Sequence, residues 1–388
     1  MRAAYYERNG SARDVLYVGE VETPQPARNE VRVRLHTSGV NPSDVKNRAG
    51  LTRKIAFPRV IPHSDGAGEI EAVGDGVPAS RIGERVWVWN GQWRRPFGTA
   101  AQFVVLPAEQ AVPLPANTGM DAGACLGIPG YTAYHAVVLA GVKEGSTVLV
   151  AGGAGAVGHY AIQFAKRRKA TVITTVSSPE KTAIARHAGA DHVIDYRREN
   201  VGARIKAITA NRGVEAAIEL DLAANAKLLP DVLAPKAVVA IYGSSAPELM
   251  IPFQFLLQNS IELRFFLVYE LGKDERECAT RDITRARPAR TQCGANVCTR
   301  RYRGRARSRG MRKSHGECCG QDDVARMSVS DMRVPGFRGA CYRAALCADP
   351  LAHTGYGFLR SRPDRFRAGH PETTRDGRYG LTLRVRRR

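Results

Sequence analysis

Residues 147–158 read Thr147-Val148-Leu149-Val150-Ala151-Gly152-Gly153-Ala154-Gly155-Ala156-Val157-Gly158. A β-branched apolar run enters a glycine-rich turn, and Gly153, Gly155 and Gly158 fit the spacing G-x-G-x-x-G. The next stretch, His159 to Lys169, places Ile162 and Ala165 at helical spacing with Phe164 alongside. A glycine triplet alone reads as an ordinary turn. Strand, turn and helix in this order predict a dinucleotide site at Gly153, Gly155, Ala156, Val157 and Gly158. A Cβ in the turn would block the approach of a pyrophosphate. The helix N-terminus offers that anion N–H groups and the positive end of a dipole.

The strand after this motif selects the cofactor. Thr171–Val176 is the predicted second strand. Sites for NAD usually end this strand in a carboxylate that accepts from the ribose 2′-hydroxyl. Here it ends in Ser177-Ser178-Pro179-Glu180-Lys181. Hydroxyls and a lysine suit a 2′-phosphate, which a carboxylate would repel, so NADPH is expected rather than NADH. The plainer alternative makes Ser177 and Ser178 helix caps and Lys181 a solvated first-turn residue.

Outward from the motif, two patterns divide the first 285 residues. From Met1 to about Leu114 short strands are expected at Val31–Leu35, Gly68–Val73, Arg85–Trp89 and Ala101–Leu106, punctuated by Gly and Pro. From about Asp121, strands near Val148, Val172, Val193, Ala217 and Val239 alternate with helical stretches, and a sixth is expected over Ile261–Val268. That alternation is the mark of a doubly wound parallel sheet, so the class is α/β. No apolar run approaches the ~20 residues of a membrane span. Met1–Gly10 reads as a first strand and not as a signal peptide. Cys125 and Cys278 are the only cysteines before residue 286, which fits a reducing cytoplasm.

Several segments together carry a family resemblance. They are Gly39-Val-Asn41-Pro-Ser-Asp44, Pro62-His-Ser-Asp65-Gly-Ala-Gly68, Gly74-Asp-Gly76, Gly83-Glu-Arg85-Val, Gly127-Ile-Pro129-Gly-Tyr131-Thr132-Ala133 and the Ala151–Gly158 turn. In these the chain resembles the zinc-independent medium-chain dehydrogenases/reductases of the NADPH:quinone reductase (zeta-crystallin-like) group. The resemblance covers residues 1 to about 285. It implies a GroES-like β-barrel-type catalytic domain over residues 1–120 and a Rossmann NADPH-binding domain over 121–268. Residues 269–285 would begin a return to the catalytic domain.

The resemblance also implies roles. Asn41 and Asp44 would lie near the nicotinamide on the cleft floor, with Thr132 beside the cofactor. Lys181 would meet the 2′-phosphate, and Tyr196 would pack nearby. Tyr242, Gly243 and Ser244 would end a strand where the ribose passes. Phe266 and Val268 would offer backbone groups to the carboxamide. The plainer readings make Asn41 and Asp44 turn formers, Thr132 a helix residue and Phe266 core. A small-molecule quinone or enone substrate and a homodimer or homotetramer are implied as well.

Departures from relatives bear on the chemistry. Zinc-dependent relatives need a cysteine near residue 39 and a four-cysteine lobe. Val40-Asn41-Pro42 has no thiol, and residues 83–107 hold no cysteine. His63 lacks thiolate or carboxylate companions in a metal-type pattern, so no metal is expected. Some quinone reductases carry a tyrosine just after the Asp44 position, where this chain has Val45-Lys46-Asn47-Arg48. Hydride transfer itself needs neither a metal nor a nucleophile, only a positioned nicotinamide and an electrophilic carbon.

Near residue 285 the character of the chain breaks. Residues 1–285 hold 34 Lys and Arg against 29 Asp and Glu, whereas residues 286–388 hold 24 against 8. Of those 24, 23 are arginine, and six of the eight cysteines lie there too. Three readings compete. One is a nucleic-acid-binding tail, densest over Arg300 to Arg309. Another is a metal module of Cys293, Cys298, His315 and Cys318. The favoured reading is coding sequence translated out of frame, since GC-rich DNA then yields Arg, Cys and Gly in excess. Shifting the codons of Arg312–Gln321 by one base permits Gly-Lys-Val-Met-Gly-Asn-Val-Val-Val-Lys. The same shift over Thr291–Thr299 permits His-Asn-Val-Ala-Arg-Thr-Phe-Ala-Leu. Both segments suit the end of the resembled family, in the right order. As written, residues 286–388 have too few periodic apolar residues for a core and are expected to be a disordered basic tail.

Overall fold

The structure, a computed structural model, describes residues 1–285. The expectations for residues 286–388 (basic tail, metal module, lost frame) lie outside the described residues.

The β-branched runs of the second half form one six-stranded sheet. Its strands are β8 (Thr147–Val150), β9 (Thr171–Val176), β10 (His192–Asp195), β11 (Val214–Glu219), β12 (Leu233–Ile241) and β13 (Glu262–Phe265). They are ordered β10-β9-β8-β11-β12-β13, and every pair is parallel. Both faces are covered, so Val148, Ile173, Val239 and Ile218 are all buried. The order reverses between β8 and β11. Ligands of such sheets bind there, outside the carboxyl ends of the strands.

In this half two elements differ in their bounds from the expectation; in the first half the expected strands at Val31–Leu35, Gly68–Val73, Arg85–Trp89 and Ala101–Leu106 run Glu30–Gly39, Asp65–Val73, Arg85–Val88 and Phe103–Pro107. The last strand is shorter than Ile261–Val268. Phe266 N–H makes the final rung to the Ile241 carbonyl at 3.2 Å, where β12 ends, and residues 268–270 turn into a 3-10 helix. The helix after the glycine turn runs Ala156–Arg167, so it starts before His159 and stops before Lys169. Ala156 and Val157 are thus its first turn, and Lys169 has a left-handed φ of 59°.

The first half holds a five-stranded antiparallel sheet. Its members are β3 (Glu30–Gly39), β4 (Asp65–Val73), β5 (Arg85–Val88), β6 (Phe103–Pro107) and β7 (Ala111–Pro113), ordered β6-β3-β4-β5-β7. A separate pair, β1 (Arg2–Tyr5) and β2 (Tyr17–Glu20), lies beside it. Val31, Val33, Ile70, Val86, Val104 and Leu106 alternate inward along their strands and form one apolar cluster. This is the GroES-like module, and the parallel sheet is the Rossmann module.

The helices of eight residues or more are α1 (Pro42–Ala49), α2 (Ile128–Leu139), α3 (Ala156–Arg167), α4 (Pro179–Ala188), α5 (Val201–Ile208) and α6 (Lys273–Arg285), among the described residues. α2 carries no charged Asp, Glu, Lys or Arg side chain and is buried on most sides, packed between α3 and α6. α6 buries Ala279 and Ile283 in the same cluster as α2. Ile283 lies over Gly130, where a side chain would crowd it. No helix among the described residues is long and apolar enough to cross a membrane.

Candidate cofactor and active site

The glycine turn is built by close approach. A Cβ on Gly153 would collide with Thr174 Oγ1, and one on Gly158 would collide with the Gly152 carbonyl. The backbone that truly requires glycine is at Gly152, with φ +67°, one residue ahead of the triplet. Gly152 N–H donates to Thr175 Oγ1 at 3.2 Å and Gly153 N–H to the Thr175 carbonyl at 3.1 Å, which ties the turn to β9. Gly155 then caps α3 without a side chain, so the first-turn N–H groups of Ala156, Val157 and Gly158 meet no side-chain cap. A cradle that any Cβ would fill, at a helix N-terminus, fits a pyrophosphate.

At the carboxyl end of β9 the plainer reading holds for Ser178 alone. Ser178 does cap α4, accepting from Lys181 N–H at 3.3 Å. Lys181 is not simply solvated: its Nζ donates to Ser177 Oγ at 2.9 Å, back toward the strand end. Tyr196 follows β10 and donates its N–H to the Val176 carbonyl at 3.1 Å. Ser177, Lys181 and Tyr196 are therefore brought to one place.

Past β12, Tyr242, Gly243 and Ser244 lie where the sheet ends. A Cβ on Gly243 would collide with the Leu220 carbonyl, so the two strand-end loops touch. Ser244 Oγ donates to the Ala246 carbonyl at 2.7 Å. Beside them is Glu219, buried at the end of β11, which sequence reasoning missed. It accepts from Asp221 N–H at 2.6 Å and from Asn225 Nδ2 at 2.9 Å. Burial pushes its carboxyl up to about 7, against the hydrogen bonds that favour the ionised form. Burial, with the Glu219 charge, also raises the Tyr242 phenol. The N–H of Phe266 is committed to Ile241 and is not a group it would offer a ligand. Its ring packs edge-on to His135 at 4.7 Å.

The head of α1 gathers the remaining residues. Asn41 N–H donates to Asp44 Oδ2 at 2.8 Å, and Asn41 Nδ2 donates to Asp65 Oδ2 at 2.8 Å. Asn41 and Asp44 thus form a capping box at the head of α1, where the plainer reading had them as turn formers. Asp65 accepts the Ile128 N–H at 3.0 Å and so caps α2 across the chain. A Cβ on Gly127 would strike that carboxylate. Thr132 Oγ1 donates to the Ile128 carbonyl at 2.6 Å, one turn back in its helix. Burial dominates both carboxyls, raising Asp44 to about 7 and Asp65 to about 8 despite the hydrogen bonds from Asn41. Tyr269 closes the group, its hydroxyl 2.7 Å from Ser43 Oγ and its ring stacked on Trp93 at 4.4 Å. Neither Asp65 nor Tyr269 was legible as a site residue. Among the described residues, no three His, Cys, Asp or Glu side chains gather as a metal set.

This arrangement can be set beside known proteins. Residues 27–116 match the family described as alcohol dehydrogenase GroES-like domain, and residues 156–285 match the one described as zinc-binding dehydrogenase. The quinone oxidoreductase of Pseudomonas aeruginosa is 32% identical over 234 residues, covering 60% of this chain and 70% of that protein. The chain belongs to the quinone oxidoreductase family. It is an oxidoreductase with that family's two-domain fold. A 2-haloacrylate reductase of a Burkholderia species is 30% identical over 251 residues, 63% of this chain and 74% of that protein. Among solved structures, a mycobacterial protein complexed with NADPH is 28% identical, with a TM-score of 0.66, covering 74% of this chain and 90% of its own. The second family match stops at residue 285, where the composition of this quinone oxidoreductase family member changes.

Proposed function

We propose that the chain is an NADPH-dependent, zinc-independent reductase that transfers a hydride to a quinone or an α,β-unsaturated carbonyl. The observation that carries this reading is the Lys181 ammonium held on Ser177 at the end of β9, where a carboxylate would stand for NAD. The mycobacterial relative solved with NADPH, the quinone oxidoreductase and the 2-haloacrylate reductase support it.

The residues divide the work. Gly153, Gly155, Ala156, Val157 and Gly158 would hold the pyrophosphate, and Ser177, Lys181 and Tyr196 the 2′-phosphate. Tyr242, Gly243 and Ser244 would line the ribose, with Thr132, Phe266 and Val268 nearer the nicotinamide. When bound, NADPH supplies the hydride. Asn41 and Asp44, fixed by their mutual cap, would form the floor on which the acceptor lies. The Tyr242–Phe266 and Trp93–Tyr269 ring contacts would help keep water from the reacting groups.

An oligomer is part of the reading. β13 is the last strand of the sheet, and among the described residues nothing pairs with its outer edge. Phe265 is 66% exposed there, and Met250, Phe253 and Leu257 are exposed as well. An open apolar edge of this kind suits a second copy of the chain. Cys125 is buried and Cys278 exposed, and neither forms a disulfide among the described residues, in keeping with a reducing cytoplasm.

A second reading is a nucleotide-binding protein of impaired activity. It is favoured by the coincidence, at residue 285, of the composition break with the end of the family match. Titrating the full chain with NADPH and NADH by fluorescence tests cofactor choice. NADPH is expected to bind at least about tenfold tighter, a difference of ~1.4 kcal/mol. Lys181→Ala is expected to erase most of it. Equal affinities would refute the assignment.

A further inference from the structure

Beneath α1, Asp44, Arg48 and His63 line a small, partly enclosed pocket with Leu16, Val40 and Pro62. It has room for about one water molecule. None of its three polar side chains reaches bulk solvent freely, since all three are buried. Arg48 is only 3% exposed. Its Nη1 donates to the Gly10 carbonyl at 2.6 Å, but its Nη2 has no partner among the described residues. A buried cationic N–H without an acceptor is costly and calls for an unseen partner.

His63 adds an independent observation. Its φ is +78°, a left-handed backbone that a histidine holds only where its surroundings dictate it. The ring is fixed from behind by a chain of hydroxyls. His63 Nδ1 lies 2.9 Å from Ser38 Oγ, Ser38 Oγ lies 2.9 Å from Thr99 Oγ1, and Thr99 donates to the Asp65 carbonyl at 2.6 Å. A strained, anchored imidazole, an orphaned guanidinium nitrogen and a carboxyl thus meet around one water-sized space. A water there would have the two to four polar partners that buried waters keep.

We propose that this pocket holds an ordered water bound by Arg48 and His63, and that through it Asp44 is reloaded with the proton taken up by the reduced substrate. The inference rests on the reductase reading above. Hydride addition to a carbonyl-type acceptor leaves an oxyanion. The new substrate O–H bond forms as the Asp44 O–H bond breaks. The Asp44 carboxylate then takes a proton from the pocket water, which draws its replacement from solvent. Each turnover thus consumes one hydride and one proton.

The electrostatic surroundings suit the task. Burial holds Asp44 up to about 7 and, with the Arg48 charge, His63 down to about 4. At neutral pH the carboxyl can carry a proton while the imidazole stays neutral. The other groups facing this cluster are Tyr6 after β1, Arg53 beyond α1, Asp65 at the start of β4 and Tyr269. Tyr6 and Tyr269 are both raised by burial first and by Asp44 second, so both are neutral and lend no charge.

A crystal structure of the full chain tests the water site. One water within hydrogen-bond distance of Arg48 Nη2, the His63 imidazole and the Asp44 carboxyl is expected, and an empty pocket, or a water that His63 does not reach, overturns the proposal. His63→Asn tests the relay, because asparagine tolerates a left-handed backbone. NMR titration of the aspartate carboxyl carbons, assigned with Asp44→Asn, is expected to show Asp44 titrating near neutrality and shifting in His63→Asn. In the same variant kcat for a naphthoquinone is expected to fall about tenfold, below the usual worth of a whole acid catalyst. The solvent deuterium isotope effect should rise while NADPH affinity stays unchanged. An unshifted titration with unchanged kcat and isotope effect overturns the relay. A chain that reduces no quinone at any pH refutes the reductase reading, and the relay with it; the crystal structure still decides the water site.

Discussion

The Tyr269 hydroxyl stands 2.7 Å from the Ser43 hydroxyl, joining residues 226 positions apart. Tyr269 follows the last strand of the parallel sheet, and Ser43 sits in the first turn of α1. One hydrogen bond therefore ties the segment after the parallel sheet to the head of α1, between Asn41 and Asp44 in sequence. Asn90 and Arg276 hold the Tyr269 carbonyl at 3.4 and 2.9 Å, so the turn is anchored at both ends. Tyr269→Phe keeps the ring on Trp93 and removes only the hydroxyl. Chemical denaturation is expected to show a loss of about 1 kcal/mol. KM for the acceptor should rise more than kcat falls. A variant as stable as the parent, with unchanged KM, would remove this bond from the account.

Stability should depend on pH through the buried carboxyls. Asp44, Asp65 and Glu219 hold pKa values raised to about 7, 8 and 7. In the unfolded chain they lose their protons near pH 4. Between those limits the folded chain binds more protons, so its stability falls as pH rises from about 4 to about 8. The stabilising contribution is complete below pH 4. His63 acts in the opposite sense: lowered to about 4, it favours folding above pH 6.5 and loses that contribution as pH falls through 4. Asp65→Asn is expected to flatten the decline toward pH 8 by up to about 1.4 kcal/mol per pH unit. Denaturant midpoints from pH 5 to 9 that are parallel in parent and variant would contradict this.

The glycine cradle predicts a selective loss. Gly158→Ala places a Cβ against the Gly152 carbonyl, which cannot move without opening the turn from β9. NADPH binding is expected to weaken at least about a hundredfold, roughly 2.8 kcal/mol. Far-ultraviolet circular dichroism should change little. Wild-type affinity in this variant would show that the pyrophosphate lies elsewhere.

Much of this fold can be read from the chain because its signals are local. Thr171–Val176 is β-branched at every position and is a strand with those same ends. The expected helix after Gly158 was right in kind and displaced by two or three residues, because a glycine N-cap leaves no side-chain marker of where the helix starts. β2 and β7 carry little signal in the sequence. Tyr17 and Val18 are exposed on a four-residue strand, and Ala111–Pro113 has only three residues. Site residues recruited across the chain were harder still. Asp65 gains its role only by reaching Ile128, 63 positions on, and Tyr269 only by meeting Ser43. Asn41 and Asp44 could be picked out by family pattern, but their mutual cap is a matter of geometry.

Resequencing the DNA across codons 280–325 tests the reading of residues 286–388. One base gained or lost near Arg285 is expected. Restoring the frame should raise reductase activity, since the family pattern continues in the shifted codons. A confirmed frame, with full activity in the chain as written, would reopen the basic-tail reading. DNA binding by the full chain that weakens steeply with salt, and is lost in a 1–285 truncation, would then support it.

The most direct measurement is the rate of NADPH oxidation by the purified full chain with and without a naphthoquinone, repeated with NADH. Quinone-dependent oxidation is expected, faster with NADPH than with NADH and unaffected by a zinc chelator. No quinone-dependent oxidation, or equal rates with the two cofactors, would contradict the account.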